Sequence, residues 1–153
     1  ELGAIAVIDR TRENIAERVM ALTDGHGADR VLDLVGGAMA PVNIAASARG
    51  GHIVQVSTLE GGTAEIPLRT LMAKDLTISG STLRPQSSAT KAKIAARIRA
   101  DFLPSLSRPD WIKPEITVFS LERAGEAHGV MESRRHRGKL VLLTAWGAGE
   151  NAV

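Results

Sequence analysis

The chain has 153 residues, 44% of them hydrophobic, which is enough for one domain with a core of its own. It contains no cysteine, so these residues form no disulfide framework, no thiolate zinc site and no cysteine nucleophile. The formal net charge is only +2 and no apolar run approaches the roughly 20 residues of a membrane span, so we expect a cytoplasmic protein that binds neither nucleic acid nor a membrane.

Apolar runs alternate with helix patterns over the first hundred residues. The first run covers residues 5–8, so we expect the chain to begin inside a domain, and Thr11 is the predicted N-cap of the next helix. Further strands are predicted at 31–35, 52–56 and 76–79, with helices at 38–48, after Pro67 and at 88–102. The strand at 31–35 is almost continuously apolar, which is typical of a parallel strand covered on both faces. This order predicts an α/β fold with an open, doubly wound (Rossmann-type) parallel sheet.

The residues beyond Pro104 follow a different pattern. An irregular link leads to a predicted strand at 115–119, a helix at 121–132 and a second strand at 139–144. We expect this strand-helix-strand appendix to leave the parallel sheet and to join another layer. The final residues, 147–153, are small and polar and are expected to be flexible.

Small, hydroxyl-bearing or cationic residues follow three of the predicted strands. They are Gly36-Gly37, Ser57-Thr58 and Ser81-Thr82-Leu83-Arg84, in chain order. Ligands of a doubly wound sheet bind outside the carboxyl ends of its strands, and such residues let a flat, polar ligand approach the backbone closely. Any one of these loops is more typical of a plain turn, but three successive loops of this kind favour a ligand site.

Two sets of cationic residues are candidates for phosphate binding. Arg10 ends the first predicted strand, where its guanidinium either stacks on an adenine, pairs with a phosphate, or is simply solvated. A basic cluster before the last strand also suits a phosphate but is more typical of a solvated loop; it comprises Arg134, Arg135, His136, Arg137 and Lys139.

Candidate catalytic groups are sparse. Asp33 lies inside an apolar strand without an evident acid or base partner, and we interpret it as a polar residue that pairs with backbone or with a neighbouring loop. The four histidines do not have the spacing of metal ligands. The sequence therefore predicts no metal site and no catalytic acid, base or nucleophile.

The succession of motifs along the chain resembles one protein family. The motifs are Leu2-Gly3-Ala4 with Val7-Ile8-Asp9, then residues 31–37, 50–54, 76–85 and finally 127–142. The first three are similar to the second part of the cofactor domain of medium-chain dehydrogenases. The segment at 76–85 resembles the zeta-crystallin-like quinone oxidoreductase branch, and the last is similar to the final helix and strand of that family. Single motifs are weakly specific, whereas the ordered set over residues 1–144 is strong.

The resemblance implies a cofactor sheet with the strand order 3-2-1-4-5-6, of which this chain holds strands 3 to 6. Residues 1–108 are then the second part of the nucleotide-binding domain, 109–146 a segment that returns to the catalytic domain, and 147–153 a flexible tail. The glycine-rich phosphate loop and the amino-terminal catalytic domain are absent from these residues. We therefore expect the fragment alone to be inactive.

The resemblance also implies which residues border the cofactor. In the family, the loops after strands 4, 5 and 6 border the ribose and nicotinamide of NADPH; here they are Val35, Gly36 and Gly37, then Val56, Ser57 and Thr58, then Thr82, Leu83 and Arg84. The Gly138-Lys139 turn also approaches the cofactor. Arg10 stands where many members carry a tyrosine near the adenine and its 2′-phosphate, so the chain departs from the pattern there. An arginine still favours NADPH by its charge, with NADH as the other possibility.

The implied activity is hydride transfer from the reduced nicotinamide to a quinone or a similar small carbonyl or enone acceptor, without a metal. One alternative is a zinc-dependent alcohol dehydrogenase of the same superfamily, and another is a truncated, non-enzymatic dimerisation module. The family also implies a homodimer that forms by pairing of the strand at 76–79 with its counterpart in a second copy.

Overall fold

The computed structural model describes residues 3–106, 108 and 111–144, and it divides the chain into two compact units. The first unit ends at Ile98 and the second begins at Arg99. The first contains α1 (Ile15–Leu22), β1 (Ala28–Asp33), α2 (Met39–Ala46), β2 (Ser47–Gln55), α3 (Leu68–Ala73) and β3 (Thr77–Gly80). Helix α4 (Ser88–Asp101) contains the division, and the second unit adds α5 (Leu103–Leu106), β4 (Ile116–Ser120), α6 (Ala124–Glu132) and β5 (Lys139–Leu143). The tail expected at 147–153 lies outside the described residues.

The first unit is built on a three-stranded parallel sheet with the order β1-β2-β3. Val31 of β1 lies opposite Ile53 of β2, which in turn lies opposite Ile78 of β3. Helices connect the successive strands, so the predicted α/β class with a parallel sheet is confirmed. Because the strands run in the same direction, their carboxyl ends meet at one edge of the sheet.

The core of this unit joins one face of the sheet to α2. Ile44 of α2 is completely buried and packs with Ile53 and Leu76, and the partly buried Val31 and Leu71 lie against them. These are aliphatic side chains from β1, β2, the residue just before β3 and the helices α2 and α3, as expected for helices that cover a sheet.

Lys74, directly after α3, holds the carboxyl end of α2. Its ammonium group donates to the carbonyl oxygens of Ile44 at 3.2 Å, Ala45 at 2.7 Å and Ser47 at 2.8 Å. The last carbonyls of a helix have no partner within the helix, and a cation there also complements the helix dipole. This interaction fixes the position of α2 relative to the chain that enters β3.

The strand predicted at residues 5–8 is wrong. These residues form no strand, and the side chains of Ile5 and Val7 are 100% and 87% exposed. A strand is stable only when a neighbour accepts its backbone hydrogen bonds, and no other strand among the described residues pairs with this segment. The predicted N-cap is also wrong: Asn14, not Thr11, accepts hydrogen bonds from the backbone amides of Ala16 and Glu17.

The prediction that β1 is covered on both faces is also wrong. Leu32 is 65% exposed and Leu34, just after the strand, is 52% exposed. The alternate positions Val31 and Asp33 face the interior. The apolar run thus marks a strand correctly, but only one of its faces is packed in the described chain.

The second unit contains a parallel pair of strands, β4 and β5, in register from Ile116 opposite Lys139 to Ser120 opposite Leu143. A short 3₁₀ turn, Leu121–Arg123, leads from β4 into α6, whose Ala127 is buried, as is Phe119 of β4. The predicted strand-helix-strand appendix is therefore confirmed. In the part of the chain that the structure describes, no helix has the length and apolarity needed to cross a membrane.

Candidate functional site

The turn after β1 is held by a buried carboxylate. Asp33, the last residue of β1, is only 4% exposed. Its Oδ1 accepts hydrogen bonds from the amides of Val35 at 2.6 Å and Gly36 at 3.0 Å, and its Oδ2 accepts one from the side-chain amide of Asn43 in α2 at 2.8 Å. The interpretation of Asp33 as a residue that pairs with backbone is confirmed, and its further partner is a helix residue and not a neighbouring loop. Asn43 was not identified from the sequence.

Two glycines let this turn meet the loop after β2 at backbone distance. Gly36 and Gly37 have φ of 72° and 53°, a left-handed conformation that favours glycine. A Cβ at Gly37 would lie 2.7 Å from the carbonyl oxygen of Glu60, and one at Gly36 would lie 3.0 Å from that of Gly61. The amide of Glu60 donates to the carbonyl of Val35 at 2.9 Å, so the two loops are joined by backbone as well as in close contact.

Gln55, the last residue of β2, links the three strand ends. Its side-chain amide donates to the carbonyl oxygens of Ser57 at 2.5 Å and Asp33 at 3.3 Å. Its own carbonyl accepts from the amide of Ser81, after β3, at 2.9 Å. The turns that follow β1, β2 and β3 are therefore neighbours, which the sequence predicted from the parallel order of the strands.

We call these turns the carboxyl edge and define it as residues 35–37, 56–58 and 82–84. It contains nine of the predicted cofactor-binding residues: Val35, Gly36, Gly37, Val56, Ser57, Thr58, Thr82, Leu83 and Arg84. Thr82, Leu83 and Arg84 are exposed. Two further residues belong to the predicted set: Arg10, and Lys139, which begins β5 in the second unit. The role of the whole set in cofactor binding stays a prediction.

Arg10 forms an ion pair with Glu60, which follows the carboxyl-edge turn at residues 56–58. Its Nη2 lies 2.6 Å from Oε1 of Glu60 and its Nη1 lies 3.2 Å from Oε2, with the two side chains 41% and 40% exposed. The hydrogen bond and the charge of Glu60 both raise the pKa of the Arg10 guanidinium above its already high value. Sequence reasoning missed Glu60, because only the fold brings residues fifty positions apart into contact.

An open cavity of about 620 Å³ lies beside this ion pair. It is bordered by the amino ends of α1 and α2, and its lining consists of Arg10, Thr11, Glu13, Asn14, Ile15, Ala38, Met39, Val42 and Glu60. Apolar side chains from both helices form part of the wall, and charged groups form the rest. This combination suits a ligand with a flat apolar part and polar substituents.

The basic cluster at 134–139 lies in the second unit. Arg134 has a left-handed φ of 55°, and Nδ1 of His136 is buried without a hydrogen-bond partner in the part of the chain described. Arg134, Arg135 and Arg137 are exposed, and phosphate binding by this loop stays a prediction.

Comparison with known proteins identifies the sequence family. The model of the zinc-binding dehydrogenase family matches residues 2–142. A quinone oxidoreductase of Pseudomonas aeruginosa is 34% identical over 92% of this chain and 43% of its own length. A protein of Nematostella vectensis named quinone oxidoreductase-like protein 2 homolog is 32% identical over 94% of this chain and 40% of its own length. The chain thus spans less than half the length of these relatives.

Solved structures give the same result for the fold. The quinone oxidoreductase of Escherichia coli, solved in complex with NADPH, superposes with a TM-score of 0.73 at 26% identity, covering 92% of this chain and 44% of that one. An NAD-dependent alcohol dehydrogenase superposes with a TM-score of 0.63 at 30% identity, covering 92% and 38%.

Replacing Gly37 with alanine tests the close approach at the carboxyl edge. The matched control is Gly50→Ala, because Gly50 also has a left-handed φ of 72° but an added Cβ there meets nothing within 4 Å. Both variants carry the conformational cost of about 1–2 kcal/mol that an L-residue meets in this region. Gly37→Ala must also displace the backbone of Glu60, so we expect it to lower the free energy of unfolding of the intact protein by at least about 1 kcal/mol more. Equal losses in denaturant titrations of the two variants would contradict the close contact.

Proposed function

We propose, from the premise that this chain belongs to the zinc-binding dehydrogenase family, that it forms part of the nicotinamide-nucleotide site of an oxidoreductase. The observation that carries the proposal is the carboxyl edge, where three successive turns lie side by side on a parallel sheet. This is the place where open α/β sheets bind their ligands.

The residues of the edge fit such a nucleotide. Asp33 fixes the turn after β1, and the missing side chains of Gly36 and Gly37 let the loop after β2 pack against it, so the two turns together form the surface that would receive a ribose or nicotinamide. The side chains of Ser57, Thr58 and Thr82 offer hydroxyl groups that donate to and accept from a carboxamide or a ribose. The bound nucleotide would supply the hydride, while the chain binds and orients it.

The acceptor is proposed to be a quinone or a similar small carbonyl or enone compound. The support is that the P. aeruginosa and E. coli proteins to which this chain is similar are named quinone oxidoreductases. The expectation of NADPH rests on the family resemblance and on the charge of Arg10, and that charge is paired with Glu60. We therefore propose the function for a reduced nicotinamide nucleotide, NADH or NADPH.

A second candidate is a zinc-dependent alcohol dehydrogenase. It is favoured by the family description and by the similarity to an NAD-dependent alcohol dehydrogenase at 30% identity. The chain has no cysteine, and the described residues contain no group of three side chains able to hold a metal ion. The residues present do not fit a zinc site, so no role in zinc binding is assigned to them.

We also propose that the protein forms a homodimer through the outer edge of β3. In the described chain β3 pairs only with β2 and leaves its other edge open, with Ile78 41% exposed. The amide of Ser81 points towards β2, because it donates to Gln55. By the alternation of a parallel ladder, the amide of Ile78 points the other way and is available to a second copy.

Replacing Ile78 with proline tests the homodimer. Proline removes the outward amide and is tolerated on an edge strand, so the sheet should persist while the dimer dissociates. Multi-angle light scattering of the intact protein should give the monomer mass for Ile78→Pro and the dimer mass for Ile78→Thr, which keeps the amide. A dimer that survives the proline would exclude this interface.

Replacing Ser57 with tryptophan tests the nucleotide site. The indole would fill the space above the carboxyl edge, so we expect the dissociation constants of NADH and NADPH to rise at least about tenfold, a loss of about 1.4 kcal/mol. The control is Ala92→Trp on the exposed surface of α4, which should leave both constants unchanged. Fluorescence titrations of the intact protein measure both, with circular dichroism to verify folding. Binding that is unaffected by Ser57→Trp would remove the carboxyl edge from the site.

A further inference from the structure

We propose that Glu60 is a specificity-determining residue and that, through its ion pair with Arg10, it makes the site select NADH over NADPH. This inference rests on the proposed function, and it concerns the adenosine end of the nucleotide. It departs from the expectation that Arg10 recognises a 2′-phosphate.

The cavity beside the ion pair is where the adenosine half of the nucleotide would lie. Neighbouring strands of a sheet are about 4.8 Å apart, so an extended dinucleotide along the carboxyl edge crosses all three strand ends and reaches past β1. The cavity adjoins the turn after β1, because its lining includes Ala38 and Met39 directly after that turn and Glu60, whose amide donates to Val35 within it. Its volume of about 620 Å³ and the apolar side chains of Ile15, Met39 and Val42 are suited to an adenine ring.

The charges that line this cavity disfavour a phosphate. Its lining includes one cation, Arg10, and two carboxylates, Glu13 and Glu60. Oε2 of Glu13 lies 3.5 Å from Nε of Arg18. Both carboxylate oxygens of Glu60 accept hydrogen bonds from the guanidinium of Arg10. The cation that would attract a phosphate is therefore already neutralised at the cavity wall.

The ion pair interacts differently with the 2′-phosphate of NADPH and the 2′-hydroxyl of NADH. A 2′-phosphate must either displace Glu60 from Arg10 or lie close to its carboxylate, and the two negative groups then repel each other. A 2′-hydroxyl meets no such penalty, because it can donate a hydrogen bond to a carboxylate, which a phosphate dianion cannot. The neutral ribose of NADH is thus compatible with the pair, and the 2′-phosphate is not.

Titration of the intact protein with NADH and NADPH tests this inference. We expect the wild-type protein to bind NADH about tenfold more tightly than NADPH, a difference of about 1.4 kcal/mol, because of this repulsion. In Glu60→Gln the carboxylate is removed and Arg10 is released for a phosphate, so the ratio of the two dissociation constants should shift about tenfold towards NADPH. Adenosine 2′-monophosphate, which has the 2′-phosphate but no nicotinamide, should show the same gain in affinity.

Two further variants distinguish the effect of the Arg10–Glu60 ion pair from that of a change in net charge. Glu65→Gln removes the same charge from an exposed residue of the same loop that does not line the cavity, and should leave the ratio unchanged. Adding Arg10→Met to Glu60→Gln should abolish the gain for NADPH and for adenosine 2′-monophosphate. Equal shifts in Glu60→Gln and Glu65→Gln, or a wild-type protein that prefers NADPH, would overturn the inference while leaving the proposed function intact. If the intact protein bound neither dinucleotide, the proposed function itself would fail and this inference with it.

Discussion

The buried carboxylate of Asp33 is the constraint on which the candidate site depends. A carboxylate removed from water is costly unless hydrogen-bond donors surround it, and here two backbone amides and the side chain of Asn43 supply them. Because the amides belong to Val35 and Gly36, the same bonds that stabilise the charge fix the direction of the chain as it leaves β1. Asn43 adds a link to α2, whose carboxyl end is held by Lys74.

The rest of the carboxyl edge follows from that turn. Because the direction of this turn is fixed, Gly36 and Gly37 lie in close contact with the backbone of the loop after β2. In addition, the carbonyl of Val35 accepts a hydrogen bond from the amide of Glu60. The backbone of Glu60 is thereby placed so that its side chain reaches Arg10. The turn that Asp33 holds thus contributes both to the surface proposed for the nicotinamide half and to the position of the ion pair proposed to contact the adenosine half.

The sequence predicts the fold well where local pattern and tertiary partner agree. The strands near 31–35, 52–56 and 76–79 are present as β1, β2 and β3, because each apolar run has a neighbouring strand and a helix to pack against. The run at 5–8 has the same composition but no partner among the described residues, and composition alone does not reveal that. The same limit explains the exposed Leu32: periodicity identifies a strand but does not say which faces are covered.

The site was only partly predictable for a related reason. Residues 36, 57 and 82 were identified because strand ends in a parallel sheet must share an edge, which is a property of chain order. Asn43 and Glu60 act through contacts 10 and 50 positions away in sequence, so no local signal marks them. The charge of Arg10 was visible in the sequence, but its neutralisation by Glu60 was not, and that difference changes the expected nucleotide.

The role of Asp33 and of the carboxyl edge can be examined in a crystal structure of the intact protein with NADH bound. We expect Asp33 still to accept hydrogen bonds from the amides of Val35 and Gly36, and the nucleotide to lie on this turn with its nicotinamide half near Ser57 and Thr82. A nucleotide bound away from these turns, or an Asp33 carboxylate directed away from the amides, would rule out the proposed site.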